Sequence, residues 1–181
     1  LCVQGALSMQ SLGWTPKGFY LVVCGSKTSV LSAMGKAAYY VTAYTPWTSS
    51  GDYSSTITGY SNAQWASDFE AETGVIPQYQ GASTFASLEV MMQAIQDAGV
   101  TNGKDTSEVT NAINARSAGD GFGTILSSTP LKFDPTHRGS LPFVVTQYQP
   151  IQGQTTGSYA TVTSSTITYP MPSWTSSERD T

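Results

Sequence analysis

The side chains that could support catalysis or metal binding are few and scattered in this chain of 181 residues. The one histidine, His137, lies in residues 134–139 (DPTHRG) between two predicted strands, where a surface turn is the expected structure. No nucleophile, base and orienting group can be named together, and three Cys and His side chains are too few for a structural zinc site. Acidic residues are scattered one at a time, and most of the following six fall on the polar faces of predicted helices: Asp52, Asp68, Glu70, Glu72, Glu89 and Asp97. The sequence therefore predicts no enzyme, no metal site and no cofactor.

The two cysteines are placed so that they could meet. Cys2 precedes the first predicted helix, and Cys24 ends the strand that follows it. In an α/β layer the N-terminus of a helix and the carboxyl end of a parallel strand lie at the same edge of the sheet. A disulfide and two separate buried thiols both agree with this placement, and the redox state of the compartment decides between them.

Two loops are candidates for ligand binding. In open α/β sheets ligands bind outside the carboxyl ends of the strands, which here lead into residues 24–27 and 44–47. The candidate contacts are Cys24, Gly25, Ser26 and Tyr44. Backbone N–H groups, a hydroxyl and an aromatic ring suit a small polar or zwitterionic molecule. Tyr44 and Trp47 could equally pack against an adjoining layer of the fold.

Alternating helices and strands must position these loops, and their order predicts the α/β class. Apolar periodicity with capping residues predicts helices over residues 3–12, 29–38, 61–73, 82–98 and 106–115. β-rich runs predict strands over residues 19–24, 39–44, 124–126, 131–133 and 142–148, the first of them parallel and buried on both faces. The longest helix is expected to bury Phe85, Leu88, Met91, Met92 and Ile95.

The composition is weakly charged and rich in hydroxyl groups. Charged residues make up 11% of the chain, the net charge is -4, and there are 24 Ser and 24 Thr. Such a chain has no cationic field to hold a phosphate backbone, which excludes nucleic acid as a partner. The hydroxyl-rich surface favours an extracellular or periplasmic location, and no apolar run approaches the roughly 20 residues of a membrane span.

The order of the segments over residues 2–149 resembles the type I periplasmic-binding-protein superfamily, especially its branched-chain amino acid receptors. The segments that carry the resemblance are SLGW, GFYLVVCG, YYVTAYTP, WASDFEAETG, STFASLEVMMQAIQDAG, EVTNAINA, GFGTI, LKFDPTHRG and PFVVTQYQP. The resemblance implies a three-layer α/β lobe with a mostly parallel central sheet, part of a bilobed Venus-flytrap protein. Residues 1–151 would form this second lobe, with the first lobe upstream. Residues 152–181 would be a Ser/Thr-rich tail, an edge strand followed by linker.

The same resemblance implies a non-enzymatic module, secreted or tethered to a membrane, that closes on an amino acid-like or amide solute. Its partners would be the small ligand, the missing lobe, and a membrane permease, a receptor or a self-assembly partner. The position that often carries an acidic ligand contact in this family falls at or next to Cys24, and the family's aromatic contact on the long helix corresponds to Phe85. Losing the acid favours a more neutral ligand. The alternative is a structural component of an extracellular assembly or filament that has lost ligand binding.

Overall fold

The computed structural model describes residues 1–101, 105–151, 157–161 and 166–176. Its helices are α1 (Cys2–Ser11), α2 (Thr28–Met34), α3 (Asn62–Thr73), α4 (Tyr79–Ala98) and α5 (Thr106–Ala118), with short 3₁₀ helices at Cys24–Ser26 and Gly35–Ala38. Its strands are β1 (Thr42–Thr45), β2 (Lys132–Phe133), β3 (Gly139–Ser140), β4 (Val144–Pro150) and β5 (Gly157–Thr161). The mixture of helices and strands is that of an α/β protein.

The chain forms two compact units. Unit 1 comprises Leu1–Thr45 and Val144–Thr181, and unit 2 comprises Pro46–Phe143. The division into one lobe over residues 1–151 and a tail over residues 152–181 stays a prediction.

The predicted helices are present, and their ends follow capping chemistry. The hydroxyl oxygen of Ser61 accepts a hydrogen bond from the N–H of Gln64 at 3.1 Å, which caps the start of α3. Gly74 and Gly99 end α3 and α4 in the left-handed conformation, which costs glycine little. Local sequence therefore determines these three helix ends, whereas the start of α4 at Tyr79 has no side-chain capping hydrogen bond.

The sheet of unit 1 has the strand order β1-β4-β5, and both pairs are antiparallel. Tyr44 pairs with Val145 in β4, and Tyr148 of β4 pairs with Tyr159 of β5. The core of this unit joins helix and sheet side chains that are almost fully buried: Ala6, Leu31, Met34, Ala37, Ala38, Tyr39, Val41 and Tyr148.

The prediction of a strand buried on both faces over residues 19–24 is wrong. The pairing of this run within the described residues is a single parallel bridge, between Tyr20 and Thr42. Val22 and Val23 are 49% and 53% exposed, and the run ends in the 3₁₀ helix at Cys24–Ser26. A continuous strand needs neighbours along its length, and the described chain offers this run only the start of β1.

The predicted strand over residues 124–126 is also absent. The N–H of Ile125 donates to the carboxylate of Glu89 at 3.2 Å, and the N–H of Leu126 donates to the hydroxyl of Thr124 at 3.3 Å. Side chains thus satisfy the backbone groups that a neighbouring strand would otherwise pair. The other strand predictions correspond to β1, β2 and β4.

Helix α4 buries a different face from the one predicted. Leu88, Met91 and Met92 are 58%, 43% and 51% exposed. The buried residues are Ala82, Ala86, Glu89, Val90 and Ala94. Small side chains four residues apart let the helix approach its neighbours closely, so the bulky residues are left on the outside.

The segment 166–176 packs within unit 1. The expectation of a linker over the last dozen residues stays a prediction, and residues 177–181 lie outside the described part of the chain. The buried amide of Gln147 donates to the carbonyl of Thr168 at 3.1 Å and accepts from its N–H at 3.0 Å. Met171 is 5% exposed in the core, and the indole N–H of Trp174 donates to the carbonyl of Trp14 at 2.8 Å. Strand β5 pairs with β4 at one side of the sheet.

Candidate functional site

The first candidate site lies at one edge of unit 1. The bridge between Tyr20 and Thr42 is parallel, with the N–H of Leu21 donating to the carbonyl of Thr42 and the N–H of Thr42 donating to the carbonyl of Phe19, both at 2.9 Å. The two segments run in the same direction, so the residues that follow them leave at the same edge. The structure thereby brings together Cys24, Gly25, Ser26 and Tyr44. Because residues 24–27 contain candidate ligand contacts, we call them the binding turn.

Gly25 sets how closely the binding turn approaches β1. It is buried, and a Cβ atom added to it would lie 2.7 Å from the Cβ of Ala43 and 3.1 Å from the Cβ of Leu21. The first distance is shorter than real Cβ contacts, so any side chain here would push the turn away from the strand. Glycine is required by this close approach.

Ser26 and Lys27 complete the turn. The Ser26 hydroxyl donates to the carbonyl of Val23 at 2.9 Å, and the N–H of Lys27 donates to the carbonyl of Cys24 at 3.2 Å. The Ser26 oxygen keeps its capacity to accept a hydrogen bond. Lys27 is half-buried and directly precedes α2.

Cys2 and Cys24 are joined in a disulfide, with their Cα atoms 6.4 Å apart. Cys2 is the first residue of α1, and Cys24 is the first residue of the binding turn. Both residues are half-buried. Of the two arrangements that the sequence left open, the structure has the bonded one.

Sequence reasoning missed Tyr20 as a neighbour of the site. Its ring stacks on the ring of Tyr44, with centroids 5.8 Å apart and planes inclined by 23°. Desolvation, and to a smaller extent the nearby Tyr44, raises the pKa of Tyr20 above its ordinary value. Tyr20 pairs with Thr42, and Thr42 and Tyr44 share one face of β1 because they are two residues apart. Knowing this pairing would have predicted that Tyr20 and Tyr44 are neighbours.

The described part of unit 1 carries positive charge only. Its charged side chains are Lys17, Lys27 and Lys36, and no Asp or Glu occurs among residues 1–45, 144–151, 157–161 or 166–176. A ligand ammonium group at the binding turn would find no carboxylate from these residues. The electrostatics of this edge suit a neutral or anionic ligand.

Phe85 lies in unit 2, where it belongs to an aromatic cluster. Its ring meets Tyr60 edge-on at 6.0 Å and Trp65 at 5.6 Å, and Trp65 in turn contacts Trp47 edge-on at 5.5 Å. Trp47 is 3% exposed, so this ring packs in the core of unit 2. These contacts stabilise unit 2, and a ligand contact of Phe85 stays a prediction.

Unit 2 also contains a groove of about 660 Å³ between α4, α5 and the β2–β3 hairpin. Its floor is apolar, with Val90, Leu126 and Leu131, and His137 lies on its wall. The predicted surface turn of His137 is confirmed, because the residue is exposed and its turn is held by Asp134, which accepts from the N–H of Arg138 at 3.0 Å.

The described residues form neither a metal-binding cluster nor a membrane-spanning helix. Residues 1–101, 105–151, 157–161 and 166–176 contain no group of three or more His, Cys, Asp or Glu side chains that could hold a metal ion. None of the helices in these ranges has both the length and the apolar character needed to cross a membrane.

The sequence and the fold were compared with known proteins. Residues 2–156 match the family described as periplasmic binding protein. No curated protein sequence matches.

Three solved structures illustrate the similarity of fold. The chain is 13% identical to a leucine-binding protein from Thermotoga maritima, covering 87% of this chain and 40% of that one, with a TM-score of 0.65. It is 16% identical to a leucine-, isoleucine-, valine-, threonine- and alanine-binding protein from Brucella ovis, covering 91% and 41% at a TM-score of 0.64. An extracellular ligand-binding receptor from Rhodopseudomonas palustris gives 17% identity, 89% and 44% coverage and a TM-score of 0.65. The chain thus has their α/β fold and spans about two fifths of their length.

Proposed function

The chain belongs to the periplasmic binding protein family, and on that premise we propose that it is part of an extracytoplasmic protein that binds a small solute without transforming it. The observation that carries the proposal is the family match over residues 2–156, because proteins of this family and the solved proteins of the same fold are binding proteins. Binding would occur as the protein closes on the solute between two lobes. The solute would then be passed to a membrane permease or sensed by a receptor.

We assign the solute contacts in unit 1 to the binding turn and Tyr44. The hydroxyl oxygen of Ser26 and the backbone of the turn supply hydrogen-bonding groups, and the Tyr44 ring supplies an apolar face. Lys27 follows Ser26 directly, and the described residues of unit 1 add no acidic side chain. The preferred ligand is therefore a neutral amide or a carboxylate that lacks an ammonium group.

A matched set of three solutes tests this assignment. L-leucine, 4-methylpentanoate and 4-methylpentanamide share one branched hydrocarbon chain and differ only in their charged groups. Thermal unfolding and calorimetric titration should show binding of the amide and the carboxylate and weaker binding of leucine. A solute present at 100 times its Kd should stabilise the folded protein by about 2.7 kcal/mol.

Two lysine variants separate a local effect from net charge. Lys27→Gln should weaken binding of 4-methylpentanoate and leave binding of 4-methylpentanamide unchanged, because only the carboxylate gains from the ammonium group. Lys17→Gln removes the same charge outside the turn and should have little effect on either. Equal effects of the two variants would contradict the assignment to the turn.

The structural alternative predicts a different outcome. If none of the three solutes stabilises the protein and it forms regular assemblies at the same concentration, the module serves an extracellular assembly rather than solute binding.

Phe85→Leu tests the predicted ligand contact of Phe85. This variant keeps an apolar side chain in the aromatic cluster of unit 2 and removes the ring that would contact the solute.

A further inference from the structure

We propose that the Cys2–Cys24 disulfide positions the binding turn, so that solute affinity depends on the redox state of this bond. The inference rests on the proposed function, because it concerns the same turn. It makes Cys2 and Cys24 positioning residues, which act on the solute through Gly25 and Ser26.

The bond joins a firmly packed element to the first residue of the turn. Cys2 begins α1, and α1 is fixed to the core of unit 1 by Ala6, which is fully buried, and by the partly buried Val3. Cys24 begins the binding turn. The disulfide therefore transmits the position of α1 directly to the turn.

The hydrogen bonds within the turn shape it without fixing its place. The Ser26 hydroxyl bonds to Val23 and the Lys27 N–H bonds to Cys24, so both bonds lie within residues 23–27. After the turn, Lys27 continues into α2, whose Leu31 is fully buried. Before the turn, Val23 is 53% exposed. On that side the Tyr20–Thr42 bridge ends at Leu21, and beyond it the disulfide and the contact of Gly25 with β1 hold the turn in place.

Preorganisation links this constraint to affinity. A turn that moves freely must be ordered when the solute binds, and the cost of ordering lowers affinity. Small displacements matter as well, because Gly25 lies so close to β1 that a Cβ atom added to it would be 2.7 Å from the Cβ of Ala43. Reduction should therefore weaken binding even while unit 1 stays folded.

A dithiol such as dithiothreitol provides the two electrons. One thiolate of the reagent attacks a sulfur of the disulfide, the S–S bond breaks, and a mixed disulfide forms. The second thiolate of the reagent displaces the remaining cysteine. Cys2 and Cys24 end as two thiols, and the reagent ends as a cyclic disulfide. The half-burial of both cysteines leaves them accessible to a reagent of this size.

Hydrogen exchange tests the positioning without any solute. The amides of Gly25, Ser26 and Lys27 should exchange about tenfold faster or more after reduction. The amide of Tyr148, which donates to the carbonyl of Val41 at 2.9 Å in the sheet, exchanges through opening of the whole unit and reports the loss of stability of unit 1 separately. Equal acceleration at all four amides would show that the bond acts only on global stability and would overturn the proposal.

Calorimetric titration with 4-methylpentanamide and 4-methylpentanoate tests the consequence for binding. The oxidised protein should bind about tenfold more tightly than both the reduced protein and the Cys2→Ser, Cys24→Ser double variant. Met171→Ala is the matched control, because it removes a core side chain of unit 1 away from the turn and lowers stability without releasing the turn. Its affinity should equal that of the unaltered protein.

The outcomes separate the two proposals. If the oxidised protein binds neither solute, the proposed ligand class fails, and the exchange of the turn amides alone decides the positioning role. If the oxidised and reduced proteins bind equally well, the positioning role fails while the binding function stands. If Met171→Ala weakens binding as much as reduction does, the disulfide acts through stability alone, which also overturns the proposal.

Discussion

Replacing Glu89 by Gln should destabilise unit 2 far more than removing any exposed acid. Glu89 is 1% exposed, and its carboxylate accepts from the hydroxyl of Thr58 at 2.7 Å and from the N–H of Ile125 at 3.2 Å. It thereby connects α4 to two loops. A Gln side chain keeps one acceptor oxygen for the N–H of Ile125, and its NH₂ group can donate to the hydroxyl of Thr58, so both contacts can persist but lose the charge of the carboxylate.

The size of the effect follows from these partners. A hydrogen bond to a charged group contributes about 1.5–3 kcal/mol and a neutral one about 0.5–1.5 kcal/mol, so weakening both bonds in Glu89→Gln should lower the free energy of unfolding by about 2 kcal/mol. Glu89→Ala loses both bonds and leaves the N–H of the fully buried Ile125 without its partner. That variant should lose about 3–5 kcal/mol.

Urea unfolding followed by the indole N–H signals of Trp47 and Trp65 measures unit 2 by itself, since both residues lie within it. Glu72→Gln on the exposed surface of α3 is the control and should change the free energy of unfolding by less than about 0.5 kcal/mol. A Thr58→Val variant combined with Glu89→Gln gives the coupling between the two side chains. The reasoning is refuted if Glu89→Gln behaves like the control and the two variants are additive.

Three further results are expected. Gly25→Ala should lower the stability of unit 1 by about 1–3 kcal/mol in urea unfolding, because of the close approach to β1, whereas Gly18→Ala, where an added Cβ meets only an ordinary contact at 3.5 Å, should have little effect. The hydrogen bond from Arg116 holds the pKa of Asp97 below its ordinary value, so this pair stabilises the fold above about pH 4 and the stabilisation is lost as pH falls through the lowered pKa. Asp97→Asn should therefore cost about 1 kcal/mol at pH 6, and this cost should shrink as pH falls in acid titrations of stability. Reducing the disulfide, which closes a loop of sequence separation 22, should lower the free energy of unfolding by about 3 kcal/mol.

Helix positions were predictable because their signals are local. Ser61 caps α3 and Gly74 and Gly99 end α3 and α4, and each acts within one turn of its own helix. The strand over residues 19–24 was not predictable in the same way. An apolar run becomes a strand only when neighbours pair with it, and its neighbours come from distant parts of a sequence.

The buried face of α4 shows a second limit of sequence reasoning. Bulky apolar residues form a stripe on this helix, but the buried stripe is one of small residues that includes Glu89. The four-residue spacing of Ala82, Ala86, Val90 and Ala94 was visible in the sequence. The burial of the carboxylate was not, because its partners at Thr58 and Ile125 lie 31 and 36 residues away.

The edge that carries the binding turn was predictable from the rule that parallel segments end at the same edge of a sheet. One parallel bridge is sufficient to place Ser26 and Tyr44 at that edge. The stacking of Tyr20 on Tyr44 was not predictable, because the apolar run over residues 19–24 predicts a strand that is buried on both faces. The sequence shows directly that residues 1–45 contain no Asp or Glu. For the proposed function, this absence limits the charge of the ligand more strongly than the stacking of Tyr20 on Tyr44 does.

The strengths of two interactions explain why charge should decide the class of ligand. A ligand ammonium about 6 Å from the Lys27 ammonium would be repelled by about 3 kcal/mol at an effective dielectric constant of about 20. Stacking on an aromatic ring such as Tyr44 contributes about 0.5–1.5 kcal/mol beyond area burial. The ring cannot compensate for that repulsion, and unit 1 offers no described carboxylate to offset it. If the proposed function is right, charge at the turn should therefore favour neutral and anionic solutes, and the ring should discriminate among them by shape.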